Sequence, residues 1–167
     1  MEKVKLSISN TEENKLPSNI EAEQSLIGSV LVNNDIIDEI SNIVSSSKFF
    51  DPIHRKIYEV IENLNNKGMI ANPITLKNYF ENDSGLSEVG GVDYLVKLTR
   101  FSSSIKQAID YAKIIHEMYV KRELIFISDG ILDEAKDDQT EKTGENIIVD
   151  AEKSLFDLAE RGNFSQT

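Results

Sequence analysis

The 167-residue chain has no cysteine and no tryptophan, only three prolines and only two histidines. Without cysteine it has no disulfide framework and no Cys or Cys/His zinc site. Basic groups are outnumbered 29 to 18 by acidic ones, giving a formal charge of −11. That balance argues against tight, sequence-independent DNA binding, which needs a net cationic face. No apolar run approaches the ~20 residues of a membrane span. The polar first eight residues lack the long apolar stretch of a secretory signal. These absences predict a soluble, cytoplasmic protein with no membrane partner. A hydrophobic content of 40 % excludes disorder throughout, and the length allows one full core, or a small domain with an appendage.

What the chain does have is helical period. Residues 1–17 read as a flexible arm, charged and without period, ending at Pro17. A helix follows, capped by Ser18 or Asn19, with Glu21 and Glu23 in its first turn and the stripe Ala22, Leu26, Ile27, Val30, Leu31. A short second helix carries Ile36, Ile37, Ile40, Ile43 and Val44. A third starts at Asp51-Pro52, a cap followed by proline at the first helical position, and repeats through Ile53, Ile57, Val60, Ile61 and Leu64. Asn72-Pro73 opens a fourth with Leu76, Tyr79 and Phe80; residues 82–91 read as loop; a fifth carries Val92, Tyr94, Leu95 and Leu98. From Ile105 to Ala135 there is no proline and a single glycine, so this stretch is one helix of about 30 residues or two in tandem. A charged turn precedes a last helix near 145–161. Two helices joined by a short polar loop make a hairpin, and no useful strand alternation appears. The expected class is all-α: a compact helical globule at 18–102 followed by a long antiparallel helical hairpin at 103–162. The stripe Ile127, Ile131 on one arm and Ile148, Leu155, Leu158 on the other is expected to close the hairpin.

Charge is segregated. Residues 1–96 carry net −7, residues 97–122 net +4, and residues 123–162 net −8. A basic segment beside acidic ones suits intramolecular or intersubunit pairing, or simply solvated helix faces. It also leaves open a stand-alone helical DNA-binding module that uses segment 97–122.

No constellation carries chemistry. The run from Gly85 to Val92 has spaced glycines but lacks the Lys and Ser/Thr of a phosphate loop and holds Glu88 instead. His54, among basic residues near a helix start, reads as a structural hydrogen-bonding histidine. His116 has no second histidine at metal-binding spacing. Asp137, Asp138 and Glu141 lack the alternating ligands of a calcium loop. No Gly-x-Ser-x-Gly is present. We therefore expect no catalytic, cofactor or metal residues in this chain. The remaining functional feature is apolar residues off the hairpin stripe: Ile125, Phe126, Leu132 and Phe156 pack on the globule or face an oligomer or partner surface.

Five segments, in order, carry a resemblance. They are Leu16-Pro17-Ser18-Asn19-Ile20-Glu21-Ala22-Glu23-Gln24-Ser25-Leu26-Ile27-Gly28-Ser29-Val30-Leu31, then Lys48-Phe49-Phe50-Asp51-Pro52-Ile53-His54, Gly90-Gly91-Val92-Asp93-Tyr94-Leu95, Tyr111-Ala112-Lys113-Ile114-Ile115, and Ala151-Glu152-Lys153-Ser154-Leu155-Phe156. Together they resemble the N-terminal domain of the bacterial replicative DNA helicase, the DnaB family, over residues 16–162. Gln107 and Asn72 are mild departures. The large one is that no RecA-like sequence with its Walker residues follows, so residues 163–167 are expected to begin a linker to a missing ATPase domain. The resemblance implies a non-catalytic assembly and docking domain. Its partners would be itself (dimer or higher, hexamer in the intact protein), primase and the helicase loader, with DNA held mainly by the missing domain. ATP and Mg would belong to that motor domain, and the intact parent would be an ATP-dependent helicase in DNA replication.

Overall fold

The computed structural model describes residues 16–139 and 141–162, so most of the expected 1–17 arm and the expected linker at 163–167 lie outside the described residues. The described chain is helical, with no strand among its residues: α1 (Ile20–Val32), α2 (Ile36–Ile40), a 3-10 turn (Ser46–Lys48), α3 (Pro52–Asn66), α4 (Pro73–Lys77), α5 (Ser84–Glu88), α6 (Val92–Thr99), α7 (Ile105–Lys136) and α8 (Gly144–Gly162).

The helix starts follow local chemistry. Asn19, not Ser18, caps α1, its Oδ1 accepting from the Ala22 N–H. Asp51 accepts from the Ile53 N–H ahead of Pro52. Asn72 and Thr75 form a reciprocal capping box ahead of Pro73. One expectation fails here: 82–91 is not all loop. Asp83 caps the Leu86 N–H and Leu86 is buried, which gives the short α5. Five residues are too few to show a helical period in sequence. Tyr79, expected on the apolar stripe of the fourth helix, lies beyond the end of α4 and is exposed.

The described residues form two compact units, one of residues 19–119 and one built on 120–162 with residues 16–18. The expected boundary at 102/103 therefore falls inside the first unit. The reason is packing: Ala108, Ala112 and Ile115 of α7 are buried in the same core as Leu26, Ile27, Ile57, Leu95 and Leu98. Small side chains at 108 and 112 let the first turns of α7 belong to the globule. α7 is one continuous helix of 32 residues, not two in tandem.

Within the first unit, α1 packs most extensively on α6. A glycine makes that approach possible: a Cβ built on Gly28 would lie 1.9 Å from the Leu98 carbonyl oxygen. Next to it, Ser29 Oγ accepts from the Ser103 N–H at 2.9 Å and lies 3.1 Å from Ser103 Oγ. On another side, the Asn34 side chain pairs with both peptide groups of Ala71, accepting from its N–H and donating to its carbonyl, each at 2.8 Å. This ties the end of α1 to the loop before α4.

Candidate functional site

The buried polar chemistry of the globule converges on Glu23, 1 % exposed, and His54, fully buried. The Glu23 carboxylate accepts from the Phe50 N–H at 2.7 Å, the Asp51 N–H at 3.2 Å and His54 Nδ1 at 2.8 Å. His54 Nδ1 must donate, because the carboxylate only accepts. In the neutral imidazole Nε2 is then the acceptor, facing the Tyr94 hydroxyl at 2.7 Å, and that oxygen accepts from Gln24 Nε2 at 3.2 Å. Burial holds the Tyr94 hydroxyl above the usual phenol range, with the negative charges of Asp51 and Glu23 adding to it. Among the described residues no buried side-chain nitrogen or oxygen lacks a hydrogen-bond partner, so this network is satisfied internally. The sequence expectation of a structural, hydrogen-bonding His54 is what this geometry describes.

The second histidine also faces inward. His116 is buried, and the Lys48 ammonium lies 3.1 Å from its Nδ1 while donating to the Ile43 carbonyl at 2.9 Å. The same ammonium sits 5.9 Å from the centre of the Tyr119 ring. Burial, then the Lys48 charge, push the His116 imidazole below its ordinary value. The glycine run serves a turn: Gly90 and Gly91 take positive φ of 116° and 68°, and the Gly91 N–H donates to the Leu86 carbonyl at 2.7 Å. Asp137 accepts from the Gln139 N–H at 2.9 Å and shapes the loop between α7 and α8. In the same loop Lys142 bridges Glu134 of α7 at 3.0 Å and Asp150 of α8 at 3.1 Å.

Large exposed apolar side chains occur on both units, Ile70 and Ile74 among them on the globule and Leu124, Phe126, Ile148 and Phe156 among them on the hairpin. α7 ends at Lys136 and α8 begins at Gly144, and Lys142 pairs with both Glu134 and Asp150 across that short connection, which makes the pair antiparallel. On α8 the least exposed positions are Ile147, Ala151, Ser154 and Leu158, spaced 4-3-4; on α7 beyond Tyr119, Arg122 is buried, Val120, Glu123, Ile127 and Glu134 are half-buried, and the rest are exposed. Those lines define the seam, as in a two-helix packing of heptad spacing. The expected stripe is thus corrected. Ile127 and Leu158 belong to the seam, but Ile131, Ile148 and Leu155 are 37 %, 58 % and 44 % exposed. Apolar residues occupy both of the adjacent positions 147 and 148, so sequence alone did not distinguish a seam from its flank.

The flank has a direction. Each residue advances about 100° around a helix, and antiparallel helices reverse the sense of that advance. Leu124 and Ile131 of α7 and Ile148 and Leu155 of α8 therefore share one broad side of the hairpin, all exposed. Ile125, Leu132 and Phe156 sit further round, on the outer backs of the two helices, between 37 and 64 % exposed; Phe126, also exposed, projects from the opposite broad side. The four residues predicted as a group are thus all exposed in this chain, but they do not form one patch.

The comparisons agree with this architecture. The family described as DnaB-like helicase N terminal domain matches residues 15–117. Among curated proteins, the replicative DNA helicase DnaB of Rickettsia bellii is 42 % identical over 147 residues, covering 88 % of this chain and 30 % of that protein. The protein of the same name from Pasteurella multocida is 34 % identical over 150 residues, covering 87 % of this chain and 31 % of its own length. The chain thus spans less than a third of these relatives. Among solved structures, the N-terminal domain of DnaB helicase from Mycobacterium tuberculosis shares the fold at a TM-score of 0.77 and 23 % identity, covering 86 % of this chain and 99 % of that one. A DnaB-like replicative helicase, solved in a study of its interactions with primase, matches at a TM-score of 0.61 and 21 % identity, covering 89 % of this chain and 32 % of that one. With a matched core that contains Glu23, His54 and Tyr94, the chain belongs to the family of DnaB-like helicase N-terminal domains.

Proposed function

We propose that this chain is the assembly and docking domain of a replicative DNA helicase, and that it works by pairing its hairpin with that of a second copy. The observation that carries the reading is the broad apolar side formed by Leu124, Ile131, Ile148 and Leu155. Four exposed aliphatic side chains on one face of a two-helix unit are a surface that helix-on-helix packing covers. Ile125, Leu132 and Phe156, on the outer backs of the two helices, are assigned in this reading to contacts beyond that face, with the second copy or with primase. Phe126 stands apart on the other side and is assigned to a different partner, for which primase is the candidate. The loader would engage the same domain. ATP hydrolysis, Mg binding and the main grip on DNA belong, in this reading, to a motor domain of the parent helicase, which works in the bacterial cytoplasm at the replication fork. No catalytic step is assigned to these residues.

The test is mass by light scattering over a concentration series, with and without a primase C-terminal domain. The wild-type chain is expected to rise from monomer toward dimer. Leu155→Glu is expected to remain monomeric, and Leu132→Asp to associate more weakly, both with unchanged far-UV circular dichroism. Phe126→Asp is expected to leave self-association intact and to weaken the primase complex. Wild-type association in both Leu155→Glu and Leu132→Asp would remove this face from the reading.

A further inference from the structure

Residues 97–107 hold Lys97, Arg100 and Lys106 and no acidic residue, in a chain of net charge −11. They span the end of α6, the turn at 100–104 and the first turn of α7, all within the globular unit. All three cations are exposed. None makes an ion pair with a described residue, whereas Lys56 is bonded to Asp83 and Lys142 to two carboxylates. Asp93 and Asp110, each one helical turn outside the stretch, bound it on either side.

Folding explains two of these charges and not the third. Lys97 and Arg100 lie at the carboxyl end of α6, where the helix dipole favours cations. Lys106 lies in the first turn of α7, where the dipole favours anions, and that turn contains no acidic residue. The amino end of a 32-residue helix and an ammonium group therefore add their positive potentials at one corner. The same corner exposes an aromatic ring and an aliphatic side chain, Phe101 at 39 % and Ile105 at 43 %. Unpaired cations interleaved with an exposed ring match the chemistry of single-stranded nucleic acid: phosphates for the cations and a base face for the ring. The acidic remainder does not cancel this locally. At physiological salt, charges more than about 8 Å away are largely screened, and a flexible single strand can approach one corner without approaching the whole surface.

We propose that the α6–α7 corner, through Lys97, Arg100, Lys106 and Phe101, is a weak contact site for single-stranded nucleic acid. It uses different residues from the hairpin face, so titration and light scattering report on the two readings separately.

The experiment is fluorescence anisotropy of a labelled 20-nucleotide oligo-dT with the 167-residue chain, from 50 to 200 mM salt. Three phosphate contacts give a log–log salt slope of about −2, that is, roughly 20-fold weaker binding across this range. The variant Lys97→Gln/Arg100→Gln/Lys106→Gln is expected to show no saturable binding at 50 mM salt. Phe101→Ala is expected to bind at least about 5-fold more weakly. Should the triple variant fail to fold, Arg100→Gln and Lys106→Gln singly are each expected to reduce the slope by about 0.7. Absence of saturable binding by the wild-type chain at 50 mM, wild-type binding by the folded triple variant, or unchanged slopes in the single variants would overturn the proposal. So would competition by poly-glutamate equal to that by unlabelled oligo-dT, which would reassign the corner to acidic proteins.

Discussion

Gly28→Ala sets two effects of known sign against each other. In an isolated helix alanine is better than glycine by about 1 kcal/mol, so α1 alone predicts stabilisation. The packing predicts the reverse. The added methyl carbon would lie 1.9 Å from the Leu98 carbonyl oxygen and 2.8 Å from its carbon, against an ordinary contact of at least 3.4 Å. Both neighbours are backbone, so no rotamer change relieves the clash. α1 and α6 must separate locally by more than 1 Å. A shift of that size stretches the 2.9 Å bond from the Ser103 N–H to Ser29 Oγ beyond bonding range. Overpacking costs about 1–3 kcal/mol, occasionally more, and each lost hydrogen bond about 1 kcal/mol. After the propensity gain, the net expectation is a destabilisation of about 1–3 kcal/mol, or roughly 2–12 °C in Tm for a chain of this size. Urea unfolding followed by circular dichroism measures it. A variant as stable as wild type, or more stable, would mean that α1 and α6 do not approach each other as described.

Three further outcomes are expected. Glu23→Gln removes the charge and turns one of the two accepting oxygens into an NH2 donor, so it sets a donor against at least one of the Phe50 N–H, Asp51 N–H and His54 Nδ1 donors, and should cost about 2–3 kcal/mol in the same urea assay; a loss under 0.5 kcal/mol would show that the buried network does not hold α1 to α3. His116 is held below its ordinary value of 6.5, first by burial and then by Lys48, so the unfolded chain takes up a proton before the folded one does. The stability this provides is present above pH 6.5 and is lost as pH falls below it; the urea midpoint should decline from pH 7 to 5.5 in wild type and decline less in His116→Gln, and equal declines would refute the assignment. Tyr94 is held above its ordinary value of 10.0, so the fold should weaken as pH rises past 10, and Tyr94→Phe should blunt that loss while sacrificing the hydrogen bond to His54; wild-type alkaline sensitivity in that variant would contradict it.

The helices that could be read from sequence are those whose caps and period are local. Asn19, Asp51-Pro52 and Asn72-Pro73 mark their starts through hydrogen bonds of two or three residues' reach. The meeting of Glu23, His54 and Tyr94 could not be read, because the contacts span 31 and 40 residues and depend on α1, α3 and α6 already being packed. The hairpin face was half legible. Ile131, Ile148 and Leu155 were identifiable as apolar and helical, but assigning them to seam or flank requires the phase of the partner helix. The burial of α7's first turns was signalled by Ala108 and Ala112, small residues at helical spacing, yet which neighbour they admit is a tertiary fact.

The Glu23–His54–Tyr94 chain has a consequence for recognition itself. Three of the segments by which this sequence can be identified supply Glu23, His54 and Tyr94, the members of one buried hydrogen-bonded network. What makes the chain identifiable is therefore its internal scaffold. The faces that would meet other molecules, Leu124, Ile131, Ile148 and Leu155 on one unit and Lys97, Arg100 and Lys106 on the other, contribute nothing to that network. Two chains could share all of the sealed residues and differ at every outward one. Detecting the family in a new sequence thus specifies a scaffold while leaving its choice of partners to be measured position by position.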